Sequence, residues 1–565
     1  MTLTRLDDYF PKDKGSPNKL ASKGTPRSDS QFSKSEEAKT GENPVENQTP
    51  RNLPPSYFIS ATYDGDANLA CIKLYEPVSN RIYKWYDNTG HKPYCLTNVT
   101  PEEIKKISRV INHPGFDHVE VVEKYDALSD SMVKVTKIVA KDPLSIGGRP
   151  RGCIRDIIPE EYPRIFNSGK EPKVWEAAIK YYQCYIYDRG LLPGMLYEIK
   201  DGELIPAVNE EAEENVKKIL QTAFKDEPED LLPYLESWIR LLEYPAPDMK
   251  RVALDIEVFS PIATRVPNAE EAPYPIICVS LVDSEGKKRV LLLRREERNE
   301  ELKLPEDVEI EFYNSEKDLL VALFKAIDEY PFVITFNGDD FDLRYLFHRA
   351  QKMGFQREEI PIEPGRRVYL FKNGIHIDLY KFFFNRSIQI YAFSQKYRNV
   401  TLDEVATAIL GKPKLEISKP ISELTYSELA EYCLNDAEIT LGLTSFDDDL
   451  VMKLLLVLTR ISRMPMEDVS RQGVSRWIRS FMQYEHRRRN MLIPNQEDII
   501  VAKGKTATKA IIKGKKYKGA IVVQPVPGVH FNVAVMDFQS LYPSIIKVHN
   551  LGYQSVRCPH EECKE

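Results

Sequence analysis

Asp255 and Glu257 stand two residues apart in the run Arg251-Val252-Ala253-Leu254-Asp255-Ile256-Glu257-Val258. In an extended chain such residues share one face of the sheet. Adjacent carboxylates repel each other unless a cation lies between them, and an all-oxygen pair suits Mg²⁺ or Mn²⁺. An isolated Asp-x-Glu is more commonly a solvent-facing strand end. A second element is Thr335-Phe336-Asn337-Gly338-Asp339-Asp340-Phe341-Asp342. Here a strand runs into a glycine turn, and Asp342 lies where the next helix begins. Asp339 and Asp340 read as turn and helix-cap residues, whereas Asp342, between Phe341 and Leu343, is placed to face inward. The third element is Tyr432-Cys433-Leu434-Asn435-Asp436. Tyr432 and Asp436 are i and i+4 on a helix and share a face. A phenol can orient a water while a carboxylate holds a metal, although a packed tyrosine beside an exposed aspartate has the same spacing.

The elements that must position these groups form α/β patterning. Arg251–Val258 and 333–336 are buried strands, a helix begins near Asp342, another covers 426–443, and 454–490 is again mostly helical. A further helix is expected over 215–242, ending near Pro245 and Pro247. Val533-Ala534-Val535-Met536 is an apolar strand leading into Asp537-Phe538-Gln539-Ser540-Leu541-Tyr542-Pro543-Ser544-Ile545-Ile546. Asp537 would project from the strand end, and the following turn would offer backbone N–H groups of Ser540 to Tyr542 to phosphates. Lys513, Lys515, Lys516 and Lys518 surround Tyr517-Lys518-Gly519-Ala520, a basic run suited to phosphate contact or to a solvated loop. Arg487-Arg488-Arg489 reads as a charged helix surface.

The 565 residues suffice for several domains, and 42% hydrophobic content supports a substantial core. No apolar run is long enough to span a bilayer and no secretory leader is visible, so a soluble, intracellular protein is expected. The net charge of −7 neither indicates nor excludes nucleic-acid binding, which depends on local basic patches. Cys71, Cys184, Cys278 and Cys433 read as small buried hydrophobes. Cys558 and Cys563 could form half of a zinc site, but no second half is visible. From about Lys12 to Pro55 the chain is too polar to fold by itself.

Taken in order, the three acidic elements resemble the exonuclease I, II and III motifs of DnaQ-like, ribonuclease-H-related proofreading domains in family B DNA polymerases. The resemblance implies that Asp255, Glu257, Asp342 and Asp436 bind two divalent ions, Mg²⁺ or Mn²⁺, and that Tyr432 helps to position the attacking water. The Asp537 string matches motif A of the same family almost letter for letter. It implies that Asp537 is a catalytic metal ligand, that Phe538, Ser540, Leu541 and Tyr542 hold the incoming dNTP, and that Tyr542 excludes a ribose 2′-hydroxyl. Tyr517 and Gly519 look like the family's Tyr-x-Gly-Gly/Ala element, which contacts DNA between the two sites. Further family-like stretches are 86–94, 190–194 and His376-Ile377-Asp378-Leu379-Tyr380, and the closest resemblance is to crenarchaeal and thaumarchaeal replicative enzymes. Leu3-Thr4-Arg5-Leu6-Asp7-Asp8-Tyr9-Phe10 is similar to a sliding-clamp peptide through Leu6, Tyr9 and Phe10, with Leu3 in place of the usual glutamine.

The implied organisation is mixed α/β and α+β. A disordered tail covers 1–55, an N-terminal domain 56–247, a ribonuclease-H-like 3′-5′ exonuclease domain 248–447, a helical return 448–490, and a partial palm 491–565. Expected partners are primer-template DNA and the 3′ end of single-stranded DNA. The sequence stops soon after motif A without the other palm signatures, so synthesis is expected to require a C-terminal polymerase fragment or a second subunit. A non-catalytic DNA-binding scaffold and a free-standing exonuclease are the alternatives.

Overall fold

The computed structural model describes residues 49–148, 152–167, 169–207, 218–219, 221–222, 224–225, 232–260, 266–295, 305–417, 419–504, 510–512, 515–517, 524, 526–538, 540–558 and 560–563. Its central feature is a six-stranded sheet built from β1 (Arg251–Val258), β2 (Ile276–Asp283), β3 (Lys288–Leu293), β4 (Val308–Tyr313), β5 (Phe332–Thr335) and β6 (Ile375–Asp378), in the order β4-β3-β2-β1-β5-β6. β1 lies inside the sheet, antiparallel to β2 and parallel to β5, which in turn is parallel to β6. Its even-numbered residues, Val252, Leu254, Ile256 and Val258, pack into a core shared with Leu319, Leu343 and Leu346. Ala253 packs on the opposite face with Leu429, Ala430, Cys433 and Ala437. A strand buried on both faces reads as a continuous apolar run. The pleat therefore directs Asp255 and Glu257 to the face of Ala253.

That face is covered by a helix. In chain order the relevant helices are α1 (Leu232–Glu243), α2 (Asp342–Lys352), α3 (Leu402–Leu410), α4 (Tyr426–Ser462), α5 (Met466–Arg471), α6 (Val474–Arg488) and α7 (Leu541–Val548). α1 ends before Pro245 as expected, while most of 215–231 lies outside the described residues. α4 starts on a capping box: the Thr425 side chain accepts from the Glu428 N–H, and Glu428 accepts from the Thr425 N–H. The helix runs on well beyond the expected stretch but bends at Phe446–Asp449, where Asp447, Asp448 and Asp449 have φ of 48°, 55° and 61°. Arg251, 1% exposed, fastens this bend to β1 by donating to Thr444 Oγ1 (2.8 Å) and Ser445 Oγ (2.9 Å) and pairing with Asp449. Beyond the bend, the buried Arg460 donates to the carbonyls of Gly194 (3.0 Å), Leu241 (3.2 Å), Tyr244 (2.6 Å) and Pro245 (3.0 Å).

The N-terminal region contributes a five-stranded antiparallel sheet, with Leu53–Asp64 at its centre, and a separate four-stranded sheet. Leu53, 5% exposed, already belongs to the first strand, ahead of the expected boundary at Pro55. Two further expectations are corrected. Arg487 is not surface: its side chain is 2% exposed and pairs with Glu176 and Asp188, each at 2.7 Å. Consecutive helical residues point about 100° apart, so one arginine of three turns inward while Arg488 and Arg489 stay outside beside Glu485. Val533–Met536 is not a strand: no ladder includes it, and Val535 and Met536 are 91% and 93% exposed. An apolar run becomes a strand only where another strand takes its backbone groups, and none among the described residues does. Six of the described cysteines are buried and free, and Cys558 is half-buried.

Candidate active site

The ligand oxygens of Asp255 and Glu257 from β1 and Asp436 from α4 all lie within 4.8 Å of one another. Among the described residues they form the only group of three acidic, histidine or cysteine side chains close enough to share an ion. The i, i+2 spacing on β1 aims the pair at α4, and the i, i+4 spacing on α4 presents Tyr432 and Asp436 to them. Ser280 on β2 fixes the distance between the layers by donating to the Cys433 carbonyl at 2.7 Å. Asp342, the first residue of α2 and 6% exposed, lines the same cleft of about 590 Å³ but stands outside the tight trio. Phe336, Phe341, Leu402 and Ile421 supply apolar wall on the same cleft.

Burial drives the electrostatics, and mutual repulsion adds to it. The Asp255 carboxyl is pushed well above the usual range by burial and then by Asp436, Glu257 and Asp342. Burial raises Glu257 to about 8 and Asp342 to about 7, and lifts Asp436 as well. Lys414 opposes this trend: its Nζ lies 2.5 Å from Asp436 Oδ2 and 4.7 Å from the centre of the Tyr432 ring. Burial disfavours the charged form of Lys414, but Asp436 and Tyr432 outweigh it and hold the ammonium protonated. Burial, followed by the charge of Glu257, raises Tyr432 to about 12, so its phenol stays neutral and able to donate. The second oxygen of Asp436, Oδ1, is buried without a hydrogen-bond partner. An orphaned carboxylate oxygen beside two further carboxylates fits a hard divalent cation.

The loop between β5 and α2 depends on residues that the sequence reading assigned differently. Asn337 has φ of 75°, and a Cβ on Gly338 would approach Thr335 Oγ1 to 2.3 Å, so only glycine fits there. Asp378, at the end of β6, accepts from the N–H groups of Asn337 (2.9 Å) and Asp339 (3.1 Å). Asp339 is not a helix cap: α2 has no side-chain cap bond, and Asp339 is fully buried, accepting from the Tyr369 N–H (2.9 Å) and Arg471 Nε (2.7 Å). Asp340 is exposed at the rim of the cleft. The α5 residue Arg471 thus anchors the loop that carries Asp342. Sequence reasoning missed Lys414, Asp378 and Arg471 as supports. Only the family-like stretch around Asp378 gave any signal.

The other anticipated site residues do not join this cluster. Asp537 is exposed, Ser540 has φ of 49°, Phe538 is 75% exposed, and Leu541 and Tyr542, at the start of α7, are 42% and 77% exposed. Tyr517 lies in a short strand, Lys515–Tyr517, paired with Ala510–Ile512, while its side chain and Gly519 fall outside the described residues. Leu6, Tyr9 and Phe10 also fall outside, as does the Cys563 side chain.

The fold is thus a mixed α/β domain with a carboxylate cleft, followed by an aspartate ahead of a short helix. Comparison identifies its family. The model for the exonuclease domain of DNA polymerase family B matches residues 172–404, and the DNA polymerase family B model matches 464–565. The chain is 45% identical over 500 residues to DNA polymerase 1 of Sulfolobus acidocaldarius, covering 88% of this chain and 55% of that protein. It is 47% identical over 510 residues to DNA polymerase 1 of Sulfurisphaera ohwakuensis, covering 90% and 56%. The structure of the family B DNA polymerase from Pyrobaculum calidifontis shares the fold, with a TM-score of 0.60 at 20% identity over 90% of this chain and 58% of that one. This chain belongs to DNA polymerase family B, of archaeal type, and spans about half the length of the curated relatives it matches.

Proposed function

We propose that the cleft removes nucleotides from the 3′ end of single-stranded or mismatched DNA, the proofreading reaction of a replicative DNA polymerase. The observation that carries this reading is the convergence of Asp255, Glu257 and Asp436, from two distant segments, into one buried group beside Asp342. These four carboxylates would hold two Mg²⁺ or Mn²⁺ ions. Such ions would supply an activated water and charge stabilisation for in-line displacement at phosphorus. The chain's own groups do the rest. The neutral Tyr432 phenol donates towards the attacking water and holds its orientation. Lys414 fixes Asp436 and offsets part of the negative charge that would repel a phosphodiester. Phe336, Phe341 and Leu402 offer apolar surface for the terminal base. A purely structural or scaffold role would leave several buried, mutually repelling carboxylates uncompensated, an arrangement that costs stability. Asp255→Ala is expected to abolish Mg²⁺-dependent degradation of single-stranded DNA while leaving the fold intact. Undiminished cleavage by the purified variant overturns the reading.

For DNA synthesis from dNTPs, Asp537 is proposed as one metal-binding carboxylate, with Phe538, Ser540, Leu541 and Tyr542 as nucleotide contacts and Tyr517 and Gly519 as DNA contacts. Two-ion phosphoryl transfer needs further carboxylates beside Asp537, and among the described residues Asp537 belongs to no group of three acidic, histidine or cysteine side chains close enough to share an ion. Primer extension is proposed to use additional polymerase sequence or a partner chain alongside Asp537. Leu6, Tyr9 and Phe10 are proposed to dock on a sliding clamp. Their joint replacement by alanine should abolish co-elution with the clamp, and unchanged co-elution overturns the assignment.

A further inference from the structure

Away from the carboxylate cleft, a cavity of about 440 Å³ opens between α1, α6 and the C-terminal end of α4. Arg463 lines it, in the left-handed conformation that ends α4 (φ 60°). This arginine is only 8% exposed, yet its Nε and one terminal nitrogen have no hydrogen-bond partner. Buried guanidinium donors are normally satisfied; among the described residues this one lies over the face of Tyr484, 4.8 Å from the guanidinium carbon. The walls are aromatic: Trp238 and Phe481 meet edge to face with centroids 5.3 Å apart, and Tyr234 stands 44% exposed at the mouth. The mouth is basic. Arg488 lines it, and Arg489 lies over the Tyr234 ring at 5.7 Å. Glu485, which pairs with both arginines, is the one acidic group in the lining.

The geometry points to a nucleotide-binding pocket in which Arg463 and Arg488 take a phosphate while Trp238, Tyr234 and Phe481 hold the attached base. Each half of the argument stands on its own observation. The unpaired inward donors call for an anion, and bidentate phosphate recognition is what a guanidinium does best. The aromatic walls call for a flat ring, and interleaved arginine and aromatic side chains are the usual platform for single nucleotides and single strands. The volume admits one nucleotide and not a duplex. Its source is either a free nucleotide or one unit of a single strand lying along α6. The proposal does not rest on the exonuclease reading, because none of these residues lines the carboxylate cleft.

The test uses the full chain in EDTA, which withholds the divalent ions that the exonuclease cleft would need to hold a phosphate. Binding of dAMP is followed by calorimetry, and binding of a short fluorescein-labelled oligothymidylate by anisotropy. Arg463→Met is expected to weaken one or both by about tenfold or more, with the fold retained by circular dichroism. Loss of dAMP binding identifies a free nucleotide as occupant, and loss of oligothymidylate binding alone identifies a strand. Affinities within about twofold of the parent for both probes overturn the proposal. A second readout needs no variant: a bromodeoxyuridine-substituted strand should crosslink on irradiation to Trp238, Tyr234 or Tyr484. Crosslinks confined to other parts of the chain also overturn it.

Discussion

Glu257→Gln removes one charge from the carboxylate cluster while keeping the volume of the side chain, and its effect can be worked out from the structure. Glu257 is 8% exposed, and its carboxyl is raised from 4.5 to about 8, burial being the largest cause. A carboxyl raised on folding binds its proton more tightly in the folded chain. Its contribution is therefore fully present below pH 4.5 and is lost as the pH rises towards 8. The loss is about 1.4 kcal/mol per pH unit, or about 3 kcal/mol between pH 5 and pH 7. Direct repulsion gives a similar size: two unit charges within 4.8 Å of each other in an effective dielectric of about 20 cost about 3.5 kcal/mol or more. Glutamine escapes this penalty. In EDTA the Glu257→Gln chain should therefore gain up to about 3 kcal/mol over the parent at pH 7 and much less at pH 5. Denaturant midpoints followed by circular dichroism measure the difference. Saturating Mn²⁺ should close or reverse the gap, because the ions neutralise the parent's carboxylates and the variant has lost a ligand. A variant no more stable than the parent in EDTA at pH 7, or an equal gain at both pH values, would falsify the account of the cluster as strained without metal.

Other outcomes follow from the same geometry. Lys414→Met should slow exonuclease turnover about a hundredfold. It should also move the acidic limb of the pH profile upward, because Asp436 loses the cation that holds its carboxyl down. An unmoved limb would mean that Lys414 acts only through packing. Arg487→Ala leaves Glu176 and Asp188 facing a buried vacancy and should destabilise the N-terminal region by about 3–5 kcal/mol. Adding Glu176→Gln should recover part of that loss, and denaturant unfolding of the single and double variants decides it.

The parts of the site visible in the sequence were those with a local period. Asp255 and Glu257 share a pleat, Tyr432 and Asp436 share a helical face, and Asp342 begins the helix after a glycine turn. Each of these follows from a few neighbouring residues. What escaped was long-range. Lys414 follows α3 and Gly411 in a stretch of lysine, proline and leucine that reads as an ordinary solvated loop, and only the fold brings its ammonium to Asp436. Asp339 looked like turn chemistry because its partner Arg471 is 132 residues away. Arg487 looked like surface because a triple arginine hides which member points inward. The run before Asp537 has the composition of a strand, but a strand also needs a neighbour that composition does not reveal.

The bent helix α4 has a practical consequence for anyone dissecting the protein. Its first half supplies Tyr432 and Asp436 to the nuclease cleft, and its second half clasps four carbonyls of the preceding region through Arg460. A cut at the bend would strip Asp449 from Arg251 at the head of the very strand that bears Asp255 and Glu257. A stand-alone nuclease fragment should therefore retain the helix through Ser462 and the strand ends it grips.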